Sequence, residues 1–315
     1  MPINCSMGIM AYNEEANIGR LLDAVISQKL KEVALTEIVV VASGCTDNTE
    51  AVVLEWAKRD ARIRLISQEK RLGKASAIND YLPKAQEKIL VLCSADQNLF
   101  LVLCSADLLP EPEAIERLVA PFADPEVGMT SSRPVPVNDA SQFMGYAAHM
   151  LWDLHHAINI KSFKAGEMIA IRKIFERIPY HTAVDEASME PVIRGQGYQA
   201  QYVPTAIVYN KGPETLADFL RQRRRIYAGH LAVRDTLGYN VSTMSGRKIL
   251  MTLLQNLDWR PKQFAWTWSI VGLEVYGRLL GLRDYKKRRD HAVWEMATTT
   301  KQLKMATNTK GIPKI

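Results

Sequence analysis

The sequence predicts an α/β protein with a mostly parallel sheet and flanking helices, followed by a small helical appendage at the C-terminus. Over the first 120 or so residues, short apolar runs alternate with stretches whose apolar residues recur at helical spacing, the pattern of parallel strands joined by crossover helices. The 315 residues, 47% of them hydrophobic, are enough to fill one large core and a smaller unit. Charge divides the chain as well: residues 1–220 carry 21 Lys and Arg against 28 Asp and Glu, whereas residues 221–315 carry 19 against 6.

A first strand is expected over Met7–Ala11, then a helix with Ile18, Leu21, Leu22 and Val25 on one face and Asn13 as its start signal. The strand Glu37–Ala42 runs into the small polar turn SGCTDNT, and a helix through Val52, Val53 and Trp56 follows. Arg62–Ser67 reads as a short strand. The Gly73-Lys74 loop then opens a helix through Ile78 and Leu82, which Pro83 ends or kinks. Next comes a repeated segment: LVLCSAD stands at 90–96 and again at 101–107, separated only by QNLF. Asp107 runs into LLPEPEAIERL, a loop followed by an amphipathic helix, so the second copy is expected in the sheet and the first as an eleven-residue insertion carrying Asp96. Beyond Pro121, SSRPVPVND reads as a linker-like extended stretch, residues 141–176 as helix, loop and strand, Tyr202–Tyr209 as a strand, and Leu216–His230 as a helix closed by Gly229.

The start, MPINCSMGIMAYNEE, lacks a charged leader and a cleavage site and reads as a strand. Glu274 and Arg278 interrupt the apolar run Gln263–Leu273 before it is long enough to span a bilayer. The four cysteines, Cys5, Cys45, Cys93 and Cys104, have no metal-ligand or pairing spacing, which suits reduced cytoplasmic thiols. No G-x-G-x-x-G or Lys-containing phosphate loop follows the first strand, which argues against a dehydrogenase or a phosphate-loop nucleotidyltransferase. The basic C-terminal part suits an acidic partner. Its Trp266, Trp268, Tyr276 and Leu279, beside Lys286–Arg289, fit either a helix lying on an anionic membrane surface or one docked on the main domain.

Six stretches occur in order: AYNEE (11–15), SGCTDNT (43–49), GKASAIN (73–79), CSADLLPEP (104–112), VDEA (184–187) and QRRRI (222–226). Together they resemble the family 2 glycosyltransferases of the GT-A fold over residues 5–232. The resemblance implies a catalytic domain at 1–232 and a basic, aromatic helical region at 233–315. It implies an inverting transfer of a sugar from a UDP- or GDP-linked donor to a lipid-linked or glycan acceptor; a place at the cytoplasmic membrane face rests on the basic, aromatic C-terminal region alone. Nucleic acid is not an expected partner, and a catalytically silent sugar-nucleotide or RNA-binding module is the alternative.

The resemblance also assigns residues. Ala11, Tyr12, Glu14, Asp47, Gly73, Lys74 and Ala106 match nucleotide-binding positions. Asp107 matches the metal carboxylate, for Mn²⁺ or Mg²⁺, with Ser105 where the family has a first aspartate. Phosphates and water would complete the coordination of such an ion. Glu186, eleven residues before Gly197-Tyr198, and then Asp185 match the base that deprotonates the acceptor hydroxyl. Gln222, Arg224 and Arg225 match the diphosphate and acceptor stretch, where Ile226 replaces a tryptophan, and Glu167 sits at an acceptor loop. Ala42-Ser43 stands where the family often has two aspartates that read uracil. The pair His155-His156 reads as helix surface or satisfied core, and His230 is a weak acceptor-site candidate. Arg221, Arg223, Arg224 and Arg225 cannot all point outward from one helix, so at least one must turn inward.

Overall fold

A computed structural model describes residues 1–94, 108–178, 185–238 and 246–287. Eight strands form one sheet in the order β3-β2-β1-β4-β7-β6-β8-β5. β1 (Ile3–Ala11), β2 (Val33–Ser43), β3 (Ile63–Gln68) and β4 (Ile89–Ser94) run parallel, as the alternating pattern predicts. β7 (Ile169–Arg172) is antiparallel to β4 and to β6 (Val127–Pro136), β8 (Gln199–Asn210) runs parallel to β6, and the two-residue β5 (Leu109–Pro110) is antiparallel to β8.

Helices cover both faces, so the central strands are apolar on both sides. On β1, Cys5, Met7, Ile9 and Ala11 join the core under α1 (Ile18–Ile26) and α2 (Thr49–Arg59), while Met10 faces Ile78, Tyr81 and Leu82 on the other side. Gly8 on that second face is required by packing, since a Cβ there would stand 2.6 Å from the Tyr81 ring. α4 (Ala114–Val119), α5 (Phe143–Asn159) and α6 (Asp185–Gly195) complete this layer system together with α3 (Lys74–Tyr81). As Pro83 foretells, α3 gives way to a 3-10 turn at Leu82–Lys84.

Four expectations are corrected. The first LVLCSAD copy, not the second, fills the sheet: its Leu90–Ser94 pairs with Ser6–Met10 of β1, and Leu90–Cys93 are buried. The connection from the 3-10 turn ending at Lys84 to Ile89 is short, so the first apolar run reached is the one captured. The second copy, with Ala106 and Asp107, and the first copy's Asp96 lie outside the described residues.

SSRPVPV is no linker but the second half of β6. β7 pairs with β6 only at Met129–Ser131, so Pro134 and Pro136 fall where one flank carries no ladder and a missing N–H costs little. α7 (Leu216–Leu237) passes through Gly229 and ends at Gly238, whose φ of +63° suits a left-handed C-cap. Likewise α1 begins after Asn17 and not Asn13.

α8 (Gly246–Gln255) rests on α5, and α9 (Pro261–Lys286) packs along α7. Gly277 and Gly281 permit this approach, because a Cβ would stand 2.6 Å from Arg223 Cβ and 2.3 Å from the Arg224 carbonyl oxygen respectively. Among the described residues no helix is long and apolar enough to cross a membrane.

Candidate active site

The C-terminal ends of β1 and β2 meet the N-terminus of α3 at a narrow crevice. Ala11, Ser43, Arg71, Gly73 and Lys74 line it. Gly73 caps α3 with a φ of +85°, a conformation that suits glycine, and Lys74 is buried in the first turn of the helix. Gly44, φ +65°, brings the second loop against the third: a Cβ there would stand 2.4 Å from the Arg71 backbone nitrogen. The Arg71 guanidinium lies 4.0 Å over the Tyr12 ring, a cation–π contact at the mouth of the crevice.

The first two loops are laced together. Asn13, with a left-handed φ of +53°, donates from Nδ2 to Thr46 Oγ1 at 3.0 Å, and its Oδ1 accepts from the Thr46 backbone at 2.7 Å. The Glu14 N–H donates to Thr49 Oγ1, and the Glu15 N–H donates to Asp47 Oδ2 at 3.1 Å. Asp47 Oδ1 accepts from the Thr49 backbone at 3.0 Å. Asp47 and the buried Glu14, whose Oε2 accepts from Asn17 Nδ2, therefore act as braces in this structure. Of the residues expected at the nucleotide, Ala11, Gly73 and Lys74 line the crevice itself, and Tyr12 stacks on Arg71 of that lining.

α3 also reaches the second half of the site. Asn79 Nδ2 donates to the Ile178 carbonyl at 2.9 Å, and the Ile178 N–H donates back to Asn79 Oδ1 at 2.8 Å. Ile178 is the last described residue before the segment that leads into α6, which Asp185 and Glu186 open. Acidic residues at a helix N-terminus complement its dipole. One helix thus carries buried Lys74 at its start and, near its end, the Asn79 that holds Ile178. Among the described residues no three His, Cys, Asp or Glu side chains gather closely enough to hold a metal ion.

A family model described as Glycosyl transferase family 2 matches residues 6–187, more than half of the chain. The chain belongs to glycosyl transferase family 2. Its similarity to a poly-β-1,6-N-acetyl-D-glucosamine synthase of Staphylococcus aureus is 25% identity over 265 residues, 78% of this chain and 58% of that protein. A dolichyl-phosphate β-glucosyltransferase of Trichomonas vaginalis is 36% identical over 93 residues, 28% of either chain. The chain thus spans under two thirds of these curated relatives. The fold matches a mannosyltransferase from Pyrobaculum calidifontis solved in complex with GDP-Man and Mn²⁺, with a TM-score of 0.56 and 22% identity over 91% of this chain and 83% of that one.

Other residues that this glycosyltransferase sequence singles out stand further from the crevice's lining. Glu167 is buried in a loop held by Gly166 N–H donating to Ser131 Oγ at 2.6 Å and Met168 N–H to Ser132 Oγ at 3.3 Å. On α7, Arg223 and Arg225 turn inward, as the arginine run requires. Gln222 is half-buried. Arg224, expected at the diphosphate, instead grips buried Asp284 of α9 through both Nε and Nη2, the latter at 2.6 Å. His155 is buried, His156 pairs with the Tyr202 hydroxyl at 2.8 Å, and His230 is buried under α8 and α9. Arg71 and Asn79 were not singled out from sequence, although both lie in or beside the GKASAIN stretch.

Proposed function

We propose that this chain transfers a sugar, with inversion, from a UDP- or GDP-linked donor to a hydroxyl or phosphate oxygen of a lipid-linked or glycan acceptor. The observation that carries the reading is α3, whose start borders the donor crevice and whose Asn79 anchors the segment leading to Asp185 and Glu186. The named complexes of the structural neighbour, GDP-Man with Mn²⁺, support a nucleotide-sugar donor.

In this reading Tyr12 and Ala11 border the nucleoside, and Gly73 with Lys74 meets the diphosphate. Glu186, with Asp185 beside it, takes the proton of an acceptor hydroxyl as its oxygen attacks the anomeric carbon from the face opposite the diphosphate. The bond to the donor diphosphate breaks, and Lys74 offsets charge growing on its oxygens. A bound Mn²⁺ or Mg²⁺ would add charge neutralisation at the same oxygens. With the first copy in the sheet, Asp96, two residues beyond Ser94, becomes the metal carboxylate we favour over Asp107. Catalysis is assigned to 1–232 and membrane approach to 233–315. The exposed Trp259, Phe264, Trp268, Tyr276 and Leu279 support peripheral contact with an anionic membrane on the cytoplasmic side.

The test is nucleoside diphosphate release from a panel of UDP- and GDP-sugars with Mn²⁺ or Mg²⁺. One donor class should turn over, and Glu186→Gln should lower the rate by about 100-fold or more while donor binding persists. Undiminished turnover in both Glu186→Gln and Asp185→Asn would remove the base assignment. Failure of every donor, together with salt-dependent RNA binding, would favour the silent module.

A further inference from the structure

Between α5, α7, α8 and α9 lies a second cavity, of about 240 Å³, apart from the donor crevice. Leu154, Ile226, Ile249, Leu253 and Ile270 make its walls apolar. Charged groups cluster in it: Lys164, Arg223 and Arg278 against Glu274. Arg278 Nε donates to Glu274 Oε1 at 3.0 Å, and Arg223 Nε stands 3.5 Å from Glu274 Oε2. One carboxylate thus faces two guanidiniums and the Lys164 amine in an apolar setting, where uncompensated charge is costly. Polar atoms are left over too, Glu274 Oε2 among them. Among the described residues, Arg223 Nη2 and both ring nitrogens of buried His230 find no hydrogen-bond partner. Burial and the neighbouring cations hold His230 well below its ordinary range, so its ring is neutral and keeps one N–H to offer.

The mouth has its own chemistry. Leu250 and Val275 line the cavity and are 45% and 53% exposed, and exposed Met251, Leu254, Tyr276 and Leu279 continue the apolar rim. The volume falls below the roughly 300–1,000 Å³ of pockets that enclose drug-sized ligands, which favours a slim chain over a sugar nucleotide.

We propose that this cavity binds a single-chain anionic amphiphile of the alkyl phosphate type. Its phosphate oxygens accept from Arg223, Lys164 and His230, and its chain lies along Leu154, Ile249 and Leu253 toward the Leu250–Val275 mouth. The inference concerns binding and stands apart from the transfer reaction, so loss of one does not decide the other.

The probe is decyl phosphate below its micellar concentration, titrated calorimetrically into the full chain beside decanol, inorganic phosphate and decyltrimethylammonium. Decyl phosphate should bind one to one and at least about tenfold more tightly than each of the three. Arg223→Met should weaken it by about tenfold or more. Ile249→Trp, at a half-buried wall position where folding is less at stake, should do the same by filling the cavity while the circular dichroism melt stays close to wild type. Binding no tighter than inorganic phosphate or than the cationic detergent, or full affinity in folded Ile249→Trp, would overturn the proposal.

Discussion

Single residues carry more structural work here than their motifs announce. Asp47 and Glu14 sit in stretches that read as nucleotide-binding, yet an Asp47 oxygen and the Glu14 N–H tie two loops together, and the Glu14 carboxylate holds Asn17. Arg224 is a strut to Asp284, and the crowding of four arginines made legible only that at least one must turn inward, not that Arg223 and Arg225 do. Pairing partners 60 residues apart leave no mark on a sequence read without its fold. Lys164 gives a testable consequence. Desolvation first, then Arg223 and Arg278, lower its pKa from the ordinary 10.5 to about 7. Unfolded Lys164 stays protonated up to about 10.5, so between pH 7 and 10.5 the unfolded state binds the extra proton and stability rises with pH. Below pH 7 both states are charged and the full penalty of burying that charge applies. Lys164→Met should therefore melt above wild type, by on the order of a few kcal/mol of stability at pH 6, with the gap closing toward pH 10. Melting curves of both proteins across that range check it, and a constant gap would contradict the assignment.

Among the elements, the parallel strands and α1 to α3 were legible because their periodicities are strong and both sheet faces are covered. β6 was not, because its prolines look like a linker until its pairing with β7 is seen to stop at Ser131. The doubled LVLCSAD was read the wrong way round, since the copies are identical and the loop-and-helix text after Asp107 outweighed the short reach from the 3-10 turn. Because the first copy forms β4, Asp96→Ala should reduce donor turnover by at least about 100-fold and Asp107→Ala by far less. Parallel rate measurements decide, and the reverse order would mean that the second copy supplies the ligand. The α7–α9 packing rests on a glycine pair that reads as ordinary helix. Gly281→Ala should cost about 1–3 kcal/mol by driving a Cβ into the Arg224 carbonyl, whereas Gly272→Ala, with nothing within 4 Å, should not lower the melting temperature. Equal melts for the two variants would mean that α9 does not pack as described.

At the scale of the molecule, the acidic first part and basic last part follow a division of labour between a sheet-edge crevice and a layer of helices with exposed aromatic residues. α7 joins the two: it crosses residue 232, carries the arginine run and is gripped by α9. The crevice and the second cavity therefore belong to one framework while presenting different linings, Gly73 and buried Lys74 at one, apolar walls around Lys164, Arg223 and Glu274 at the other. The central claim, a nucleotide-sugar donor held where β1, β2 and α3 converge, is tested most directly by amide hydrogen exchange with UDP or GDP and Mn²⁺ present. One nucleotide should slow exchange in 11–15, 43–49 and 73–79. Protection confined to 246–287, or none with either nucleotide, would contradict it.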